Sequence, residues 1–341
     1  MGDCKQMIAG DSAAAARIDD ASCHTGSAAA DSVLGDVLEG LRFRGTVFFR
    51  SELAAPWGVW SDDADSPRFH IALRGGFYVG RKGGETPVKV EESDIILLPR
   101  GGVHWMADQP GRRLLTPAAV TDQCELGRPP FQEGTITNEM MCARIRFDDR
   151  LSHPLLDALP EIVHIPGMDR GSTLWHLVTL IDAEIRHSRS LSGPVVDRLT
   201  EVLFLQLLRE FVAGVETPEG YIAALHDHRL SRALRMIHQS PEKDWTLETI
   251  AEAVCMSRAT LARRFKEAVG TAPIEYLTQW RLLRAHDLVK HSDACLERIA
   301  EQVGFASAQT LARSFKRRFG YTPSMLRQTA NAIEDHDGQS R

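Results

Sequence analysis

Residues Ser257–Pro273 read SRATLARRFKEAVGTAP, and residues Ser307–Pro323 read SAQTLARSFKRRFGYTP. Laid over one another at an offset of 50, they agree at 9 of 17 positions: Ser, Thr, Leu, Ala, Arg, Phe, Lys, Gly and Pro. Upstream, Leu247, Ile250, Ala251 and Val254 match Leu296, Ile299, Ala300 and Val303 at an offset of 49. The offset changes where Cys255-Met256 faces Gly304-Phe305-Ala306, and a change of length belongs in a loop. Self-similarity of this kind marks a duplicated structural unit.

Each copy spells the same local structure. The upstream apolar residues fall at i, i+3, i+4 and i+7, one stripe of a helix. A short turn follows, and Ser257 and Ser307 stand where an N-cap accepts backbone N–H groups of the next helix. In that helix Leu261 and Phe265, or Leu311, Phe315 and Phe319, point inward. The outer faces carry Arg258, Arg263, Arg264 and Lys266 in the first copy, and Gln309, Arg313, Lys316, Arg317 and Arg318 in the second. Two helices, a tight turn and a basic outer face spell helix-turn-helix. Arg reads guanine edges bidentately, Gln reads adenine, and Lys neutralises phosphate. A single such hairpin would be read as a solvated helical pair; the duplication turns the balance.

Pro273 starts a connecting helix that carries Ile274, Leu277, Arg281, Ala285 and Leu288 to about Lys290. A rod of that length spans about 26 Å, which suits two reading helices about one DNA turn apart. Charge agrees. The chain of 341 residues has a net charge of −6, yet Ile222 to Gln328 holds 17 Lys and Arg against 11 Asp and Glu. A module of +6 is joined to a body of −12, a partner-binding asymmetry.

Bulk composition sets the frame. Apolar residues are 43% and charged residues 25%, ordinary for a soluble globular protein of two or three domains. No run of 18 apolar residues exists, so no membrane partner is expected. Met1–Ala30 is rich in Ala, Ser and Asp without a basic start and apolar stretch, and reads as a disordered tail rather than a secretory signal. Cys4, Cys23, Cys124, Cys142, Cys255 and Cys295 are scattered and form no C-x-x-C pair, which points to a reducing, cytoplasmic setting.

The stretch IAEQVGFASAQTLARSFKRRFGYTPSMLR resembles the C-terminal signature of the AraC-type regulators, including its Gly304-Phe305 turn and its Gly320…Pro323 end. The resemblance covers about Leu230 to Gln328. It implies a transcription regulator that binds double-stranded DNA. It implies base contacts from Ala259, Ala262 and Arg263 in the first reading helix, and from Ala308, Gln309, Ala312 and Arg313 in the second. The alanines suit thymine methyl groups, leaving Arg263, Gln309 and Arg313 as hydrogen-bonding readers. Arg258, Thr260, Lys266, Thr310, Lys316 and Arg317 are then phosphate contacts that set register.

From about Leu41 to Phe147 the character changes. Short runs at Thr46–Leu53, Arg68–Leu73, Gly76–Arg81, Val88–Val90, Asp94–Pro99 and Met140–Phe147 are separated by Gly-Gly turns, the pattern of a sandwich or barrel. DIILLPRGGVHWM, with Pro99, Gly101 and His104, resembles the second motif of the cupin barrels, and SPRFHIALRGGFYV, with His70, falls where the first should be. With APWGVW at Ala55–Trp60 this resembles the cupin-type sensor half of one subgroup of AraC-type regulators, over about Leu41 to Ile165. It departs from metal-loaded cupin enzymes: position 72 is Ala, and no Glu follows at the expected distance.

Two readings stay open for the barrel interior. His70, His104 and Cys142 are a ligand set for Zn²⁺ or another divalent metal. Alternatively the histidines are hydrogen-bonded pocket residues and Cys142 is a small core residue. His70, Trp60, Tyr78 and His104 are the candidate pocket for a small-molecule effector, whose identity the residues do not give.

Pro166-Gly167 breaks the chain before two helical stripes within Leu174–Val212, the second of them apolar nearly all round. Such a helix packs on the barrel or on a second subunit, giving a homodimer. The fold expected is α+β: a disordered tail (1–30), a cupin-like β-barrel sensor (31–165), a helical dimerisation or linker segment (166–221), an all-α domain of two helix-turn-helix units joined by a linker helix (222–328), and a polar, disordered tail (329–341). The function expected is a ligand-controlled, non-enzymatic DNA-binding regulator, with RNA polymerase a further candidate partner. The competing readings are a metal-dependent cupin enzyme with a helical adaptor and a structural DNA-coating protein.

Overall fold

The computed structural model describes residues 33–37, 43–61, 66–83, 86–125, 130–147, 153–167, 169–188, 190–191 and 193–329. The proposed tail 1–30, Cys4 and Cys23 lie outside these residues, as does the C-terminal tail beyond Thr329.

The N-terminal half is built on two antiparallel sheets. The larger runs β1 (Phe43–Ala54), β8 (Ile136–Phe147), β3 (Arg68–Arg74), β6 (Ile95–Leu98), β9 (Val163–Ile165). The smaller runs β2 (Gly58–Ser61), β7 (His104–Ala107), β4 (Phe77–Arg81), β5 (Val88–Val90). Strand alternation sorts the larger sheet into two cores. Met140 and Cys142 of β8, Ile96 and Leu98 of β6 and Ala72 of β3 face inward, onto Trp57, Phe77, Val79, Val90 and Met106. Met141, Ala143, Ile145, Ile95, Leu97, Phe69 and Ile71 face the other way, onto helices. A register shift in β1 between Val47 and Phe49 switches its faces, so Val47 meets the helices while Phe49 and Leu53 join the inner core.

The helices on the outer face are α1 (33–37), α4 (Thr173–Ser188) and α5 (Pro194–Gly214). Shorter helices α2 (Pro117–Glu125) and α3 (Pro154–Asp157) lie in the connections. Leu203, Phe204, Leu207 and Leu208 bury one side of α5, and the Cβ that Gly45 lacks would strike Thr200 at 2.7 Å, so α5 lies close on β1. The other side of α5 is not covered: Val195 and Val202 are 53% and 44% exposed, and Leu180 of α4 is 51% exposed. This accounts for the all-round apolar pattern of α5.

The C-terminal half comprises α6 (Gly220–His226), α7 (His228–Gln239), α8 (Leu247–Ala253), α9 (Arg258–Val269), α10 (Pro273–His291), α11 (Leu296–Val303) and α12 (Ala308–Phe319). The repeat is reproduced down to its caps. Ser257 accepts from Thr260 N and Ser307 from Thr310 N, and both helices end on left-handed glycines, Gly270 and Gly320, whose N–H groups donate to Lys266 O and Lys316 O. The turns also match. Met256 N donates to Ala251 O, as Phe305 N does to Ala300 O, so Cys255 occupies the left-handed position of Gly304 and the additional residue is Ala306.

The two copies differ in what they rest on. The second has its own core of Leu282, Ala285, Val289, Ile299, Val303, Leu311 and Phe315. The first shares one continuous core with the N-terminal half, through Leu155, Tyr221, Leu225, Phe265, Tyr276 and Trp280. At that joint the Tyr276 hydroxyl lies 3.1 Å from His153 Nε2, 2.9 Å from the Tyr221 hydroxyl and 2.8 Å from His238 Nε2. Leu155 N–H donates to His153 Nδ1, so the ring proton sits on Nε2 and His153 donates to Tyr276. Burial drives the pKa of His153 down to about 3 and that of His238 well below the usual value, keeping both rings neutral.

Candidate nucleic-acid interface

The helix α10, 19 residues long, separates α9 from α12. At about 1.5 Å per residue it measures about 28 Å. Both flanking helices bury a short apolar stripe (Leu261, Phe265 and Val269; Leu311 and Phe315) and leave the opposite side to solvent.

Of the expected base readers, Ala259, Arg263, Gln309 and Arg313 are exposed, and Ala262, Ala308 and Ala312 are half-buried at the edge of the same ridges. Arg258, Lys266, Thr310, Lys316 and Arg317 are exposed; Thr260 is half-buried. The hydroxyls of Thr260 and Thr310 lie 2.8 and 3.0 Å from those of the capping serines, in the first turns of α9 and α12. Arg313 has no side-chain partner among the described residues, whereas Arg263 is held by Glu267 and Arg258 lies 3.6 Å from Glu248. Arg264 and Arg318, which the repeat pattern also turned outward, are engaged elsewhere. Arg264 is bound to Asp227, the N-cap of α7, and Arg318 lies over the Phe319 ring and lines a crevice with His153 and Pro154.

In the N-terminal half, the antiparallel register of β3 and β8 sets His70 directly opposite Cys142. His70 Nδ1 lies 3.0 Å from Cys142 Sγ, and its Nε2 lies 2.9 Å from His104 Nε2, which reaches in from the smaller sheet. His104 Nδ1–H donates to Gly102 O at 2.8 Å. That leaves His104 Nε2 as an acceptor, so His70 Nε2–H donates to it and the Cys142 S–H donates to His70 Nδ1. All three groups are fully buried. Burial lowers the pKa of His70 and brings that of His104 to about 4, and it pushes the Cys142 thiol up, so the row is neutral.

Of the two open readings, this arrangement fits hydrogen-bonded histidines with a buried Cys142 and not the three-ligand metal set. Cys142 and His104 occupy opposite nitrogens of the His70 ring, so the donors lie in a line and do not converge on a point. Among the described residues no group of three or more His, Cys, Asp or Glu could hold a metal ion. The expected pocket is corrected too. Trp60 pairs with Trp105 and Tyr78 with Ala107, on the outer face of the smaller sheet, while His104, Phe77 and Val79 face inward. A cavity of about 520 Å³ opens instead beside Pro56, Trp57, Arg112, Arg113, Leu115, Gln123 and Phe131. Its residues come from loops and from α2, which have no periodicity to flag them; Pro56 and Trp57, within APWGVW, and the Arg112-Arg113 pair are the signals the sequence offers.

The Cupin family model matches residues 32–213, and a helix-turn-helix domain model matches residues 250–329. A putative AraC-like transcription regulator of Streptomyces lividans is 31% identical over 286 residues, covering 82% of this chain and 94% of its own. The chain belongs to the AraC-type transcription regulators. Within that family this regulator is also similar to a putative AraC-like transcription regulator of Streptomyces antibioticus, 30% identical over 296 residues, which are 86% of this chain and 97% of that one. The HTH-type transcriptional regulator AlkR of Acinetobacter baylyi is 29% identical over 306 residues, 86% of this chain and 98% of its own. This AraC-type regulator therefore carries its cupin domain N-terminally and its helix-turn-helix domain C-terminally. Among its described residues no helix is long and apolar enough to cross a membrane.

Proposed function

We propose that this protein is a sequence-specific DNA-binding transcription regulator whose α9 and α12 act as the reading helices of two helix-turn-helix units, under the control of a small molecule bound by a cupin barrel. The observation that carries the reading is the pair of serine-capped helices, each with an exposed Arg or Gln ridge, in the two units that α10 joins. Arg263, Gln309 and Arg313 contact base edges; Arg258, Lys266, Lys316 and Arg317 contact phosphates. The cavity at Trp57 and Phe131, with Arg113 at its rim, suits a partly apolar, negatively charged effector, which would shift the population of two arrangements of the chain. The exposed Leu180, Val195 and Val202 suit a second copy of the chain, giving a homodimer. Full-length Arg263→Ala/Arg313→Ala protein, tested by mobility shift on a selected duplex, loses sequence-specific binding. Unchanged binding to that duplex refutes the assignment.

A further inference from the structure

The two reading helices are not electrostatic copies. α12 contains no acidic residue, while α9 contains one, Glu267. At the repeat offset of 50 its counterpart is Arg317. Glu267 sits one turn after Arg263, and Arg263 Nη1 donates to both of its carboxylate oxygens, at 3.0 and 2.9 Å. Both side chains are mostly exposed. A solvent-exposed pair of this kind contributes little to folding, and a carboxylate one turn from a base-reading arginine weakens non-specific attraction to a polyanion. What the pair does accomplish is geometric. With Nη1 taken, the opposite edge of the guanidinium, Nε–H and Nη2–H, has no partner among the described residues and forms the two-donor fork that matches guanine O6 and N7.

We propose that Glu267 is the specificity-setting residue of the first unit: it holds the Arg263 guanidinium with its Nε–Nη2 edge presented to a guanine and penalises DNA that offers no such base. The second unit, where Arg313 stands without a carboxylate on its helix, has no equivalent. This rests on the DNA-reading function proposed above. Pre-ordering removes part of the entropy lost when a long side chain engages a base, and the buried charge pair that forms in the groove discriminates against other bases.

The test uses the full chain. Wild type is first taken through selection from a random duplex library, which yields the preferred site. Wild type, Glu267→Gln and Glu267→Arg are then titrated on that duplex, on the same duplex with each base pair replaced in turn, and on a random-sequence duplex. Glu267→Gln binds the random duplex more tightly and loses about tenfold in its ratio of specific to random affinity, near the low end of what one bidentate base contact discriminates. The loss falls on the base pair that Arg263 contacts, and preferences set by α12 persist. Glu267→Arg, which copies the second unit, shows the same loss with a larger gain on random DNA. If Glu267→Gln changes specific and random affinities by the same factor, the residue is a plain solvated charge and the inference is overturned while DNA reading stands. If the wild type selects no sequence at all, both readings fall.

Discussion

Replacing Tyr276 by Phe removes one oxygen atom and keeps the ring against Phe265, where the centroids lie 5.6 Å apart. That oxygen is the meeting point of His153 Nε2, the Tyr221 hydroxyl and His238 Nε2, all of buried residues. Each buried polar group stripped of its partner costs about 1–3 kcal/mol. Three such groups give about 3 kcal/mol at the lower bound. With a urea m-value of about 3 kcal/mol per molar, the unfolding midpoint falls by about 1 M. The pH dependence of the same joint gives an independent check. His153 has a folded pKa of about 3, depressed from 6.5 by burial, and His238 is shifted in the same direction. Below pH 6.5 the unfolded chain therefore takes up protons that the folded joint refuses. Stability is fully present above 6.5 and is lost as pH falls, by about 1.4 kcal/mol per pH unit for each histidine. For His153 the loss levels off near pH 3. Urea titrations followed by tryptophan fluorescence, with Trp280 stacked on His238, measure both effects. A Tyr276→Phe midpoint within about 0.3 M of wild type, which at this slope is about 1 kcal/mol, would refute the network as an energetic joint. So would stability that stays flat between pH 7 and pH 5.

Further outcomes are expected from the same structure. Arg317→Ala lowers the slope of log affinity against log salt by about 1, whereas Arg318→Ala leaves it unchanged because that guanidinium faces Phe319 and the crevice at His153; equal slopes for the two variants would show the split to be wrong. Cys255, a non-glycine residue at φ 54° where the second copy has Gly304 at φ 84°, is strained, and Cys255→Gly raises stability by about 0.5–1 kcal/mol in thermal unfolding; a lower melting temperature contradicts this. On the proposed homodimer, wild type sediments as a dimer and Val202→Glu, placed on the uncovered side of α5, as a monomer; a monomeric wild type, or a variant that still sediments as a dimer, excludes this face as the interface.

What the amino-acid order determined alone is local and periodic. The paired apolar stripes, the serine caps, the left-handed glycines and Pro273 at a helix start each act within a few residues of their own position, so the duplicated unit and its linker were legible without a partner in view. The β-rich half was legible as strands for the same reason, except that β2, β7 and β9, at four, four and three residues, were not marked, since in strands this short alternation is weak and only flanking turns, as around β5 and β6, give them away. Tertiary structure decided the rest. A strand pattern gives two faces and not which one is inside, so Trp60 and Tyr78 turned outward while Trp57 and Phe77 turned in. Three donors far apart in sequence fell in a row rather than around a point, because the register of β3 on β8 put Cys142 behind His70 and the facing sheet put His104 in front. The anchoring of the first unit through Tyr276, and the turning of Arg318 away from the reading ridge, depend on contacts across more than a hundred residues or between separate elements. Such contacts arise from how helices and sheets stack, and no short-range pattern encodes that.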